Sequence, residues 1–222
     1  MKSLFTEGLI KLTVGIILVG LLVFLPAGTW QYWQGWMFIG ILFVPMFCAG
    51  LVMMAKNPAL LRSRLNAKEK EKDQDLVIKL SGLMFLAGFV VAGLGVRFGW
   101  YMFPKSASIA AAVVFLIAYG LYAEILRENT YLSRTIEVQE NQTVVDTGLY
   151  GIVRHPMYSV TVLLFLMMPL VLGSVFSFVI FLAYPFIIAK RIKGEEAFLE
   201  KELNGYKEYK EKVKYRMMPF IW

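Results

Sequence analysis

The chain has 222 residues, of which 58% are hydrophobic and only 18% charged, and its mean hydropathy is +0.61. An ordinary soluble domain is roughly 45–50% apolar and about 25% charged, so the composition argues against a soluble enzyme and rules out a disordered tail, a collagen-like chain and a disulfide scaffold. Cys48 is the only cysteine and His155 the only histidine. One chain therefore offers no internal disulfide, no Cys-based zinc site and no His–His or His–Cys constellation, and no metal site is expected. The net charge of +7 comes from 23 basic and 16 acidic residues. Its meaning depends on where it sits relative to the apolar segments.

A spanning helix takes roughly 20 mostly apolar residues. In chain order the candidate segments are 9–26, 33–55, 76–97, 106–126, 156–172 and 174–189. The last two are short, are separated by Gly173 and read as a helical hairpin. The expected fold class is an all-α, polytopic integral membrane protein of about six membrane segments with a C-terminal amphipathic segment. It forms one membrane unit over 1–222, with four spans and a basic loop in 1–126 and nearly all the unusual polar chemistry in 127–222. Segment 9–26 lacks a clean small-x-small cleavage site and is read as a span, not a signal peptide.

Charge orients the layout. With the N-terminus in the cytoplasm, the external segments 27–32, 97–105 and the hairpin tip carry only Arg97 and Lys105. The other 21 of the 23 basic residues fall inside, among them Lys56, Arg62, Arg64, Lys68, Lys70 and Lys72 in the second loop. That asymmetry predicts that both termini are cytoplasmic. Trp30, Tyr32, Trp33 and Trp36 predict an aromatic belt at one external turn, and Trp100 and Tyr101 at the other. Gly93 and Gly95 lack the strand–turn–helix context of a dinucleotide fingerprint. Gly95 and Gly99 read as a helix-packing pair.

Three stretches carry candidate chemistry. The first runs from Asp146 to Tyr158 and opens the fifth helix, with Pro156 at the first helical position. Free N–H groups at that helix start, beside Arg154 and His155, favour a carboxylate or phosphate. The competing reading is an interfacial cap with Arg154 snorkelling to headgroups. The second is Lys190, Arg191, Lys193, Gly194, Glu195 and Glu196, which the hairpin returns to the neighbourhood of His155. Its carboxylates can orient a cation or accept a proton, or can form ordinary surface pairs. In the third, Phe198, Leu199, Leu203, Tyr206, Tyr209 and Val213 form one apolar face, broken at Asn204 and Gly205. That face lies on the membrane interface or folds back as a lid. Glu124 and Arg127, near the end of the fourth helix, are either functional or an i,i+3 pair.

Taken in order, these residues carry a family resemblance. They are Gly148-x-Tyr150-x-x-x-Arg154-His155-Pro156-x-Tyr158, then Leu172-Gly173, then Arg191-x-x-x-Glu195-Glu196-x-x-Leu199. Gly205-Tyr206-x-x-Tyr209-x-x-x-Val213 and Arg216-x-x-Pro219 follow. The stretch 128–222 resembles the isoprenylcysteine carboxyl methyltransferase and phospholipid methyltransferase superfamily. The resemblance implies an integral membrane enzyme that uses S-adenosyl-L-methionine without a Rossmann domain, in a cytoplasmic pocket roofed by the C-terminal segment. It implies cofactor-binding roles for Gly148, Tyr150, His155, Pro156, Tyr158, Glu195, Glu196, Tyr206 and Tyr209, and catalytic roles for Arg191 and Glu196. The implied partners are a lipophilic, prenylated or lipid-like acceptor and membrane lipids, with no nucleic acid. The implied location is a plasma or inner membrane, or the endoplasmic reticulum in a eukaryote. This chain departs from eukaryotic members at Lys193-Gly194, where they carry acidic residues, and at Leu203-Asn204-Gly205, where they carry an aromatic residue and glycine. It also has fewer spans. Three alternatives stay open: an amine-bearing phospholipid as acceptor, a dinucleotide-binding membrane reductase of related architecture, and a non-catalytic protein that keeps the fold.

Overall fold

The computed structural model describes residues 2–65, 75–132, 136 and 138–222; Lys68, Lys70 and Lys72 of the expected basic loop lie outside the described residues. The apolar runs fold as α1 (Lys2–Ala27), α2 (Trp33–Lys56), α4 (Asp75–Arg97), α5 (Lys105–Glu128), α6 (Pro156–Val171), α7 (Val175–Phe181) and α8 (Tyr184–Glu202), with the short α3 (Pro58–Leu65) and α9 (Tyr206–Lys212) between and after them. Ser3–Ala27, Trp33–Lys56, Asp75–Arg97, Lys105–Glu128 and Val175–Glu202 are long and apolar enough to cross a membrane. The 16 residues of α6 rise only about 24 Å, short of a ~30 Å hydrocarbon core. The expected six segments thus resolve into five of spanning length and one shorter helix.

Two boundaries depart from expectation for backbone reasons. The sixth apolar segment breaks at Leu182 and Ala183, because Pro185 in the first turn of α8 has no N–H to continue the ladder. From there α8 runs without interruption through Arg191, Glu195 and Glu196 to Glu202. Its Lys, Arg, Glu, Ala and Leu residues are strong helix formers and absorb the single Gly194.

Helix ends gather at two opposite ends of the bundle. At one, Phe103 N–H donates to Gly173 O at 2.8 Å and the Tyr32 hydroxyl donates to Leu172 O at 2.5 Å, tying the turns after α1 and α4 to the hairpin tip. Tyr32 is therefore buried and leaves the expected aromatic belt, which keeps the exposed Trp30, Trp33 and Trp36. At the other end, Lys11 Nζ donates to Leu65 O at 2.7 Å and Arg64 contacts the Tyr122 hydroxyl. This second end carries the turn before α6 and the C-terminal half of α8.

Phe38, Phe115, Phe181, Ile125, Leu172 and Ile192 are fully enclosed at the core. Leu25, Val44, Leu83, Ile117, Val179 and Phe186 point outward, the inverse of a water-soluble surface. Backbones approach most closely at Gly93, where a Cβ would collide with the Val23 carbonyl oxygen of α1. The expected Gly95–Gly99 pair does not form this contact, since Gly99 lies beyond α4 in open space at φ +64°. The Glu124–Arg127 alternative also resolves. Arg127 Nε and Nη2 donate to the two Glu124 carboxylate oxygens at 2.8 and 2.6 Å on an exposed surface, an ordinary i,i+3 pair.

Candidate active site

The approach to α6 is a 3₁₀ turn, Gly148–Gly151. Glu128, at the end of α5, accepts from Thr147 Oγ1 at 2.9 Å and Leu149 N–H at 3.3 Å. Gly148 adopts φ +49°, and a Cβ there would run into that carboxylate. Gly148 thus shapes the turn from outside the cleft described below. The turn is pinned from the other side by the Tyr209 hydroxyl, which donates to Tyr150 O at 2.8 Å.

Pro156 opens α6 at its first position, as expected. The donors beside it are not free. Arg154 N–H donates to Tyr215 O at 2.9 Å and His155 N–H to Arg216 O at 2.8 Å, while the Tyr158 and Ser159 amides bond His155 O. The chain's own tail therefore takes two of the backbone donors beside the expected anion site. Arg154 does not snorkel either. Its side chain is 4% exposed, and Nη1 donates to Val213 O and Lys214 O at 2.7 and 2.8 Å.

Glu196 is the hub of this arrangement. Its carboxylate, 3% exposed, accepts from Arg154 Nε at 2.7 Å and Arg216 Nε at 2.8 Å, with His155 Nε2 at 3.3 Å. Ser159 Oγ adds a bond to Met217 O at 2.7 Å, and the Arg216 guanidinium lies 5.2 Å from the Trp222 ring centroid. Residues 213–217 are strapped across the start of α6.

Arg191 serves a different face. Because α8 continues as a helix, Arg191 and Glu195 stand one turn apart, while Glu196 is about 140° round the axis from Arg191 at ~100° per residue. Arg191 Nε donates to the Tyr158 hydroxyl at 2.9 Å, and that hydroxyl donates to Glu195 Oε2 at 2.5 Å. The carboxylate that Arg191 reaches through Tyr158 is Glu195. The carboxylate five positions on from Arg191 holds the tail.

Between these two groups lies a cleft that is partly open to solvent. Of the residues singled out in the sequence, Tyr150, His155, Tyr158, Arg191, Glu195, Tyr206 and Tyr209 line it; Gly148, Pro156 and Glu196 do not. In the third stretch, Leu203, Tyr206, Tyr209 and Val213 pack against Val138 and Val144. Burial raises the Tyr150, Tyr206 and Tyr209 hydroxyls well above the usual phenol range, so they remain protonated donors. Among the described residues the Tyr206 hydroxyl has no hydrogen-bond partner, although Tyr206 is only 4% exposed. The opposite wall, with Asn129, Tyr131 and Gln142, was not singled out in the sequence, where the stretch reads only as a polar loop.

Residues 109–201 match the model described as the isoprenylcysteine carboxyl methyltransferase (ICMT) family. The match begins inside α5, takes in the turn before α6 and the Arg191–Glu196 stretch, and stops short of Tyr206 and Tyr209. It bears out the resemblance drawn from the motifs. No curated protein matches the chain.

Proposed function

We propose that this protein transfers a methyl group from S-adenosyl-L-methionine to a lipophilic carboxylate, of the prenylated-cysteine kind, at the cytoplasmic face of a membrane. The observation that carries the reading is one cleft at one end of an apolar bundle. There the matched region contributes His155, Tyr158, Arg191 and Glu195, and the unmatched tail contributes Tyr206 and Tyr209. The cytoplasmic assignment rests on the 21 basic residues that fall on the cleft's side of the layout, out of 23 in the chain.

The residues present suit the cofactor. Tyr206 offers a protonated buried hydroxyl without a partner. Tyr150, Tyr158 and Tyr209 add aromatic rings to the lining, a residue type that attracts cations. S-adenosyl-L-methionine, when bound, supplies a sulfonium methyl that an acceptor oxygen displaces in line, the carbon–sulfur electron pair passing to sulfur and no proton moving. What the protein adds is alignment and exclusion of water, worth up to several kcal/mol. Arg191 presents a planar fork to the acceptor carboxylate, and the apolar exterior receives its lipid part. Glu196, expected as the second catalytic residue, acts in this reading by holding Arg154, His155 and Arg216 in place.

Calorimetry on the protein in nanodiscs tests the cofactor, and methyl transfer to a prenylated-cysteine analogue tests the acceptor. S-adenosylhomocysteine binds and NADPH does not. Arg191→Ala abolishes transfer, and Arg191→Lys stays low because a point charge does not replace the fork. Binding of NADPH without S-adenosylhomocysteine overturns the reading. Full activity of Arg191→Ala overturns the carboxylate acceptor.

A further inference from the structure

The Arg191–Tyr158–Glu195 chain carries an inference that deepens the methyl-transfer reading and rests on it for its kinetic arm. We infer that Glu195 is a positioning residue, acting through the Tyr158 hydroxyl to set the orientation of the Arg191 guanidinium at the cleft.

A phenol has one proton to donate and lone pairs to accept with. Here the proton points to Glu195 Oε2 at 2.5 Å and a lone pair receives Arg191 Nε–H at 2.9 Å. The direction of both bonds is fixed by Glu195, because a carboxylate only accepts. With the proton committed to Glu195, the oxygen is left as an acceptor for Arg191. Arg191 and Glu195 stand four apart on α8, a spacing at which side chains meet. The bridging phenol comes from a neighbouring helix and is itself rigid. Tyr158 is buried, and its ring lies against that of His155, with centroids 5.7 Å apart and planes at 30°. A bond at Nε constrains the whole guanidinium, since its donors share one rigid fork. The orientation of Arg191 is thus referred to α6 and the strapped turn before it, the same frame that presents His155 to the cleft.

The test is a double-mutant cycle on the full chain in nanodiscs, at saturating cofactor, with a prenylated-cysteine analogue as acceptor. Tyr158→Phe and Glu195→Ala each lower kcat/KM for the acceptor about tenfold, and the double variant loses about tenfold, not a hundredfold, because both act on one chain of bonds. In an Arg191→Lys background, Tyr158→Phe causes no further loss. Additive losses in either cycle overturn the inference. A second readout needs no turnover. In ¹⁵N-arginine-labelled protein the Arg191 Nε–H resonance, identified by its absence in Arg191→Lys, is protected from solvent exchange in the parent and loses that protection in Glu195→Ala, which leaves the Tyr158 hydroxyl no acceptor at this position. Protection unchanged in Glu195→Ala overturns the inference even where activity falls. Glu195 is half-buried on the surface of α8, so this arm stands if Tyr158→Phe does not fold. If the parent methylates no acceptor, the methyl-transfer reading fails and the resonance alone decides the role of Glu195.

Discussion

Glu196→Gln separates an acid that reacts from an acid that holds the site together. The glutamine keeps the shape and one acceptor oxygen but removes the charge that Arg154 and Arg216 share. Arg154 is 4% exposed at its side chain and Arg216 28%, so the cost falls chiefly on Arg154. Removing one member of a buried ion pair costs about 3–5 kcal/mol, and each ~1.4 kcal/mol is tenfold. If that cost appears as release of the strap, protection of the Arg154 and His155 amides, which now donate to Tyr215 O and Arg216 O, falls roughly 10²- to 4 × 10³-fold. Hydrogen exchange read by mass spectrometry on peptides covering 150–158 and 213–217 measures it. Cofactor affinity falls in parallel, because His155 and Tyr150 belong to the same turn. Unchanged protection together with lost turnover would refute this reasoning and return Glu196 to the reacting groups.

Tyr206→Phe removes a buried hydroxyl that has no partner among the described residues, so the ligand-free protein keeps or gains thermal stability. Its affinity for S-adenosylhomocysteine drops roughly 2- to 12-fold, the value of about 0.5–1.5 kcal/mol for one neutral hydrogen bond, and equal affinity would remove Tyr206 from the cofactor site. Gly93→Ala drives a methyl into the Val23 carbonyl and lowers stability by about 1–3 kcal/mol. Gly82→Ala on the same helix, with nothing within 4 Å, is neutral or stabilising by up to ~1 kcal/mol; similar melting temperatures for the two would refute the α1–α4 packing. Tags placed at the two ends of the chain are both cytoplasmic in protease-protection assays, and an external C-terminal tag would sink the charge-based layout.

The bundle was legible because its signals are local. Trp33 and Pro156 open α2 and α6 where the apolar runs and the proline placed them, since a pyrrolidine ring suits the first helical position whatever surrounds it. The proximity of Arg191 to the RHPxY turn followed from the hairpin alone. The roles of the two glutamates were not legible. They depend on the faces to which α8 sends Glu195 and Glu196, and residue type alone does not name the side chains and carbonyls that meet each of them there. Arg154 was read as an anion ligand or a headgroup contact because its partners are a distant carboxylate and backbone carbonyls of the tail. Carbonyl oxygens leave no trace in residue type. Tyr32 misled for a related reason. At a membrane border, tyrosine suits a belt, and only the arrival of Leu172 O explains its burial. Asn129, Tyr131 and Gln142 carry no motif and acquire meaning only from the cleft they line.

The strap also orders events during synthesis. The partners of Arg154 lie far downstream in the chain, Glu196 by 42 positions, Val213 by 59 and Lys214 by 60. A guanidinium does not bury itself before its counter-charge arrives, so the turn before α6 stays hydrated after α6 itself has entered the lipid. It closes only once 213–217 has left the ribosome and returned. Insertion of the apolar helices and assembly of the cleft are therefore separate steps, the first driven by lipid and the second completed in water. A chain interrupted upstream of Val213 would pass every test of membrane integration and still lack a site. A fault confined to the second step would be visible to quality control only from the water side, as an unpaired arginine and an uncovered turn.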